Sequence, residues 1–503
     1  MLRWWQVWRG EPVMIYGAGS TGALLAGALH RDGPLRPVAF IDEDPGRTLA
    51  RIDRLPVYPV QRLEQALRRH RVERVILALP SAPDCQRRRM VERLERCGVM
   101  VESVPPIDEL LAGRRALTDL RGTRAASGVE TIACPQRLRN HLAGARVAIT
   151  GAGGSIGSEL ARQIARLEPG RLVLIERNEH NLFQVQQQLR EEAAREGRTL
   201  ALEGHLADAG DAVRMERLLL EAGIEQVYDA AAYKHLPLVE ANPLEGVANN
   251  ALVTARCAQA ARRASVARFV LVSTDKAVRP TSVMGASKRL AELIVQALAG
   301  EGGATRLALV RFANVLDSSG SVLPLFREQI RHGGPVTVTH PQARRYFMTI
   351  PEAAGLLLQA GALAEGGEVF VLEPDEAVRI EDLARRLIAL SGLQVQDEHH
   401  PGGEIPIVYT GLRAGEKLEE QLLLGDQVSG TGYPRILRAW EPGCSYAALA
   451  RGLEALEQAV AEREEARVRR LLAELVPEYQ EPSVQTTPAR EKVRALRPVG
   501  QAS

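Results

Sequence analysis

Short runs of continuous apolar residues, each closed by glycine or acid, alternate along this chain with stretches whose apolar positions fall at helical spacing. "PVMIYGAGSTG" (12–22) reads as a buried strand, a glycine turn at Gly17, Gly19 and Gly22, and a helix start. "PVAFIDEDP" (37–45) reads as a second strand ending in acid at Asp42, and "VERVILALP" (72–80) as a third. Strands that are apolar on both sides suit a parallel sheet covered by helices. The alternation predicts a doubly wound unit over 11–125, preceded by a separate N-terminal segment, 1–10.

A second and stronger unit opens at "ARVAITGAGGSIGSELARQI" (145–164). Its strand signals recur at "RLVLIERN" (171–178), "QVYDAAA" (226–232), "RFVLVSTD" (268–275) and "LALVRFAN" (307–314). From about 316 the rhythm changes to short strands such as "GGPVTVTH" and "EVFVLEP", which predicts a smaller substrate lobe within a domain spanning 126–430. Residues 445–476 read as a helix pair inside a C-terminal stretch, 431–503, whose polar tail from about 480 is expected to be disordered. The polar segment "GRRALTDLRGTRAASGVETIACP" marks the domain boundary. The fold class is therefore α/β: two tandem Rossmann-like doubly wound parallel-sheet domains, the second with the smaller lobe.

Composition narrows the function. The chain has 503 residues and a net charge of +2, with charges interspersed and aromatics at 4%. No basic stripe with interleaved aromatics exists, so nucleic acid is not expected as a partner. The cysteines (Cys85, Cys97, Cys134, Cys257, Cys444) form no C-x-x-C pair. That suits a reducing compartment and gives no reason to expect a metal. No run of about 18 apolar residues is present, so no membrane span is expected. "MLRWWQVWRG" carries three tryptophans among arginines. It suits peripheral contact with a membrane interface, or equally a docking segment or frayed end. Only five of the 64 basic residues are lysine: Lys234, Lys276, Lys288, Lys417 and Lys492. In a chain that otherwise uses arginine, a retained lysine points to a need for a compact ammonium or a titratable amine.

"TGAGGSIG" sets Gly151, Gly154 and Gly157 between a strand and a helix, with Ser155 and Ile156 in the turn. Glycines there admit a pyrophosphate to the backbone, and the helix N-terminus offers free N–H groups. Glu176, at the end of the next strand, can accept both ribose hydroxyls, which favours NAD over NADP. Arg177 is the counter-signal, because an arginine there can hold a 2′-phosphate. Asp208, Ala231, Asn250 and Lys288 complete the candidate cofactor set. "GAGSTG" with Asp42 repeats this logic in the first unit, with no catalytic set after it.

"STDKAVRPTSVMGASK" (273–288) has the frame of a short-chain dehydrogenase site, with Met284 where the frame calls for tyrosine. Thr274 can hydrogen-bond a sugar hydroxyl. Lys288 falls four residues past Met284, on the same helix face, and can hold the nicotinamide ribose. Together with "ITGAGGSIGSEL", "AAYKHLPLVEANP", "RRYFMTIPEA" and "GLRAGEKLEEQL", this text resembles the long-form UDP-N-acetylglucosamine 4,6-dehydratases. These are capsular polysaccharide biosynthesis proteins of the extended short-chain dehydrogenase superfamily, among which methionine for tyrosine is a normal variant. The resemblance covers about 145–425 closely and 11–115 loosely.

The resemblance implies oxidation of the sugar at C4 by NAD, loss of water across C5–C6, and hydride return to C6. It implies Lys276 as the base at C5 and Asp275 as the acid for the departing C6 hydroxyl. Such an amine must have a lowered pKa, which a dry pocket and neighbouring Lys288 would supply. Asp275 or a water takes the C4 hydroxyl proton, with Thr274 orienting it and Met284 drying the pocket. By resemblance Lys234 and His235 face the sugar or diphosphate, Asn250 supports the active-site strand and Asn314 lies near the diphosphate. Arg345, Tyr346, Arg413 and Glu416 are offered to the nucleotide. The resemblance further implies a UDP-sugar substrate, a homo-oligomer, a cytoplasmic setting at the inner face of the membrane, and a chain beginning where the soluble part of longer relatives begins. The departures are Asp229 for the usual histidine-alanine text, and Ala313 and Asp317 in "RFANVLDSSGS". A nucleotide-sugar 4-epimerase and a non-catalytic NAD- or nucleotide-sensing protein are the competing readings.

Overall fold

A computed structural model describes residues 10–32, 35–44, 51–52, 54–79, 84–105, 121–122, 135–425, 427–441 and 443–481. The tryptophan-rich start, nearly all of the boundary segment and the polar tail lie outside the described residues. The chain forms two compact units: Met1–Thr131 with Leu325–Val338 and Ile380–Val408, and Ile132–Pro324 with Thr339–Arg379 and Tyr409–Ser503. The lobe expected from about 316 is thus divided between the two units.

In the first unit, β1 (Glu11–Tyr16), β2 (Leu35–Asp42), β3 (Arg51–Ile52), β4 (Leu55–Pro59), β5 (Arg74–Leu77), β6 (Met100–Ser103) and β7 (Arg121–Gly122) form one sheet in the order β3-β4-β2-β1-β5-β6-β7. The pairs from β4 to β6 are parallel, and the short edges β3 and β7 are antiparallel. Each central strand is buried on both faces, as the continuous apolar runs require. A glycine turn leads from β1 into the helix Ser20–Asp32.

The second unit holds β8 (Arg146–Thr150), β9 (Arg171–Glu176), β10 (Leu202–Leu206), β11 (Gln226–Asp229), β12 (Arg268–Val272) and β13 (Arg306–Arg311). They run β10-β9-β8-β11-β12-β13, all parallel. Strand order reverses between β8 and β11, which opens a crevice at their carboxyl ends. Val369–Leu372 adds a further parallel strand beside β13, and Ile436–Ala439 and Val428–Gly430 close the edge antiparallel. "EVFVLEP" was expected in the substrate lobe and is instead part of the main sheet. Its four strand residues are all buried, which suits an interior strand rather than a surface loop. The helix pair expected at 445–476 is present as Tyr446–Ala461 and Glu465–Leu475.

The helix Val283–Gly300 is buried on nearly every side, including the polar residues Ser287, Lys288, Arg289 and Glu292. A helix so enclosed must find partners for each of these groups inside the protein.

Candidate active site

The glycine turn after β8 fits a dinucleotide at close range. Gly151 has φ +59°, and a Cβ there would stand 2.8 Å from the Cα of Ala231 beyond β11. A Cβ on Gly157 would run into the carbonyl oxygen of Gly151, so only glycine lets the helix Ser155–Ala165 start this close to the turn. Glu176 is 9% exposed at the end of β9. One of its carboxylate oxygens accepts from Gly153 N–H at 3.0 Å and the other from Asn178 N–H at 2.9 Å. This leaves it fixed at the crevice with lone pairs available for ribose hydroxyls. Asp42 in the first unit repeats the pattern, accepting from Ala18 N–H at 2.7 Å and Asp44 N–H at 2.8 Å.

Arg177 turns to Tyr233: its guanidinium lies 4.5 Å from the ring centroid and donates to Asn249 at 3.1 Å. Asn250, fully buried in a π-helical turn, accepts from Tyr233 N–H at 2.7 Å and donates to Tyr233 O at 3.0 Å and to Ser287 at 3.1 Å. It pins the loop after β11 to the helix that bears Lys288. Ser155 Oγ accepts from Ser319 N–H at 3.4 Å, Ile156 packs on the core, and exposed Asp208 caps the Gly210 N–H at 2.7 Å. Asp229 lies buried beneath the crevice, where the hydroxyls of Thr150 and Thr254 donate to it. It ties β8, β11 and the helix Val253–Arg263 together.

Thr274 caps the short 3-10 turn Asp275–Ala277 that follows β12. Its hydroxyl donates to Asp275 Oδ1 at 2.8 Å, and Lys276 Nζ donates to the same oxygen at 2.9 Å and to Asn314 Oδ1 at 2.7 Å. Asp275 is fully buried, and its Oδ2 accepts no hydrogen bond. Lys276 is 22% exposed, and Glu420 Oε1 stands 3.9 Å from its amine. Burial alone pulls the Lys276 pKa down, but Asp275 and then Glu420 outweigh it, and the net shift is upward. The expected lowering of Lys276 is therefore reversed. Lys288 is instead held low, as Lys234 and Lys417 also are: burial dominates at Lys288, against the opposing pull of Asp229 and Glu292. Its amine donates to Val272 O at 2.8 Å. Met284, one turn earlier on that helix, is buried in the core cluster on the same face of the sheet.

Among the residues expected at the nucleotide, Arg345, Glu416 and Arg413 are hydrogen-bonded together. Arg345, nearly buried, donates to Glu416 at 3.1 Å, to Leu418 O at 3.0 Å and to Arg344 O at 2.7 Å. Glu416 also accepts from Thr339 at 2.9 Å and from the N–H of exposed Arg413 at 3.2 Å, while Tyr346 donates to Glu419 at 3.1 Å. Asn314, expected near a diphosphate, has its side chain committed to Lys276. Lys234 is exposed just past β11, and the ring of His235 fills the space beside Gly320.

Glu420 escaped the sequence reading, and Lys417 was singled out only as a rare lysine, without a place at the site. Both lie in the quoted "GLRAGEKLEEQL", and the scarcity of lysine was the signal for Lys417. Among the described residues no cluster of three His, Cys, Asp or Glu side chains is placed to hold a metal, and no helix is long and apolar enough to cross a membrane.

Residues 147–441 match the family model described as polysaccharide biosynthesis protein. The chain is 41% identical over 421 residues to "Probable polysaccharide biosynthesis protein EpsC" of Bacillus subtilis (strain 168), covering 82% of this chain and 69% of that one. It is 38% identical over 428 residues to capsular polysaccharide biosynthesis protein CapD of Staphylococcus aureus, covering 83% and 69%. Among solved structures, Pen from Bacillus thuringiensis matches with a TM-score of 0.53 and 28% identity, over 60% of this chain and 89% of that one. With its glycine turn, its acid at the end of β9 and its threonine-aspartate-lysine turn all inside the matched span, the chain belongs to the polysaccharide biosynthesis protein family.

Proposed function

We propose that the protein is an NAD-dependent 4,6-dehydratase acting on UDP-N-acetylglucosamine in the synthesis of a surface polysaccharide. The observation that carries this reading is the pairing of Lys276 Nζ with Asp275 Oδ1 at 2.9 Å, past the carboxyl end of β12, two strands along the parallel sheet from the β8 glycine turn. A base and an acid held together suit the removal of a proton and a hydroxyl from adjacent carbons. A 4-epimerase has no use for a base at C5. Likeness to a capsular protein supports the polysaccharide setting.

The residue types at the crevice support the cofactor reading. The glycine turn and the N-terminus of Ser155–Ala165 would take the pyrophosphate, Glu176 the adenosine ribose, and Lys288 the nicotinamide ribose. NAD when bound supplies the hydride acceptor for C4 and the donor for C6. The protons are handled by the chain itself. In the working state, reached once Lys276 has released a proton to solvent, Asp275 is a carboxylate and Lys276 a free amine. The C4 hydroxyl proton passes to Asp275 through Thr274 Oγ, whose own hydrogen already points at that carboxylate. Lys276 takes the C5 proton, and Asp275 protonates the departing C6 oxygen, which leaves as water. Lys276 then returns a proton to C5, and both groups stand as they began.

Incubation with UDP-N-acetylglucosamine and NAD, read by mass spectrometry, tests the proposal. The expected product has lost one water. An unchanged mass with an altered sugar configuration would make the protein an epimerase, and NAD binding with no product from any UDP-hexose would make it a nucleotide sensor.

A further inference from the structure

The stretch 413–424 lies along the catalytic turn. Thr281 Oγ donates to Gly415 O at 2.9 Å, Lys417 Nζ to Val278 O at 2.8 Å, and Arg279 to Gln421 at 3.1 Å and Leu424 O at 3.0 Å. From this stretch Glu420, 5% exposed, reaches inward. Its Oε1 is 3.9 Å from Lys276 Nζ and its Oε2 is 3.6 Å from Lys417 Nζ. A carboxylate so deeply buried is costly unless cations face it, and these two lysines do.

The polar and charged groups around the Lys276 amine come from four places. Asp275 stands on its own turn, Asn314 offers a carbonyl from the strand beyond β13, Glu420 comes from the 413–424 stretch, and Arg345 opposes them from the strand Arg344–Arg345. Asp275 has a step of its own in the cycle. Glu420 has none, and it is separated from Lys276 by more than a hydrogen bond. Its remaining effect on that amine is through charge.

We propose that Glu420 is a positioning residue that holds the Lys276 proton between turnovers, and that Lys417 weakens this hold by sharing the Glu420 carboxylate. The consequence for turnover rests on the dehydratase reading, whereas the charge coupling does not. Lys276 must shed one proton to solvent before it can take the proton from C5. Dehydration therefore rises with pH through the Lys276 titration, and Glu420 sets where that rise begins. An early-bound substrate meets an ammonium, and the C5 proton is not drawn off until that ammonium is discharged.

The test uses the full chain with 13C-labelled lysine, where five lysines give few ε-carbon signals and Lys276→Arg identifies the one of interest. Glu420→Gln is expected to move the Lys276 midpoint to lower pH and Lys417→Met to move it to higher pH. Each pH unit of movement changes the free-amine fraction about tenfold on the acid side. The acid limb of the dehydration rate should move in the same directions. An unmoved midpoint in Glu420→Gln overturns the proposal. So does movement of both variants in one direction, which is what general loosening of the stretch would produce. If no UDP-hexose is dehydrated by the wild-type protein, the dehydratase reading fails while the titration still decides the role of Glu420.

Discussion

Arg311 closes on Glu292 through Nε at 2.8 Å and Nη2 at 2.6 Å, with neither side chain exposed. Glu441 also accepts from Arg311, Arg289 reaches Glu292, Glu441 and Glu478, and Ser273 donates to Glu292 at 2.6 Å. Ser273 is the residue before Thr274, so this buried network is attached directly to the proposed catalytic turn. Breaking such a pair by removing one partner leaves an uncompensated charge, which costs about 3–5 kcal/mol. Glu292→Gln should lower unfolding stability in urea by an amount of this size. A loss below about 1 kcal/mol would equate the pair with a surface ion pair.

The same carboxyl gives a pH window. Burial alone pushes Glu292 up, but Arg311 and then Arg289 and Ser273 outweigh it and hold it at about 2, below its ordinary 4.5. A carboxyl lowered by folding stabilises the protein above its unfolded value, and that contribution is lost as pH falls from about 4.5 towards 2. The loss amounts to about 3 kcal/mol. Urea titrations of wild type and Glu292→Gln should converge as pH falls through this range.

His141 acts at milder acidity. Burial first and Arg268 second push its imidazole down to about 4. The unfolded chain binds the proton first, so stability is lost as pH falls from about 6.5 towards 4. His141→Leu should flatten the stability profile in that interval. An equally steep profile would assign the loss to other groups.

Gly157→Ala places a methyl group against the Gly151 carbonyl. NAD affinity measured by calorimetry should fall at least about tenfold, a loss of roughly 1.4 kcal/mol, with circular dichroism unchanged.

Glu176 fixed at the crevice, with Arg177 turned to Tyr233, predicts a preference for NAD over NADP of about tenfold or more, since a 2′-phosphate would face a carboxylate. Glu176→Ser should narrow that ratio in a direct comparison of the two dissociation constants. A wild-type protein that bound NADP as well as NAD would contradict the assignment.

Lys276→Met should cut dehydration by about 10²–10⁴ while NAD still binds. Met284→Tyr should leave kcat within a few-fold. A large gain with unchanged KM would mean that the tyrosine position lacks a proton acceptor that Thr274 and Asp275 do not replace.

Much of this was written in the chain as local signal. Continuous apolar runs specify buried parallel strands, glycines at fixed offsets specify a tight strand-to-helix turn, and an acid at the next strand's end follows from that turn. These depend on residues near in sequence, so the places of Gly151 and Gly157 in a strand-to-helix turn, of Glu176 at a strand end, and of Met284 and Lys288 one turn apart on a helix were readable in advance. The strand Val369–Leu372 was misplaced because a short apolar run does not reveal which sheet it joins.

The proton state of the proposed catalytic lysine was not readable. Lys276 was expected to be lowered by Lys288, and it is instead raised by Asp275 and by Glu420, a residue 144 positions downstream. A pKa depends on which charges lie within a few ångströms, and that is set by how distant segments pack. The sequence by itself determined the central parallel strands, the glycine turn between strand and helix, and the presence of Thr274, Asp275 and Lys276 on one short segment. Only the tertiary structure decided which carboxylates face which ammoniums, because Coulomb interactions follow distance in space and take no account of separation along the chain.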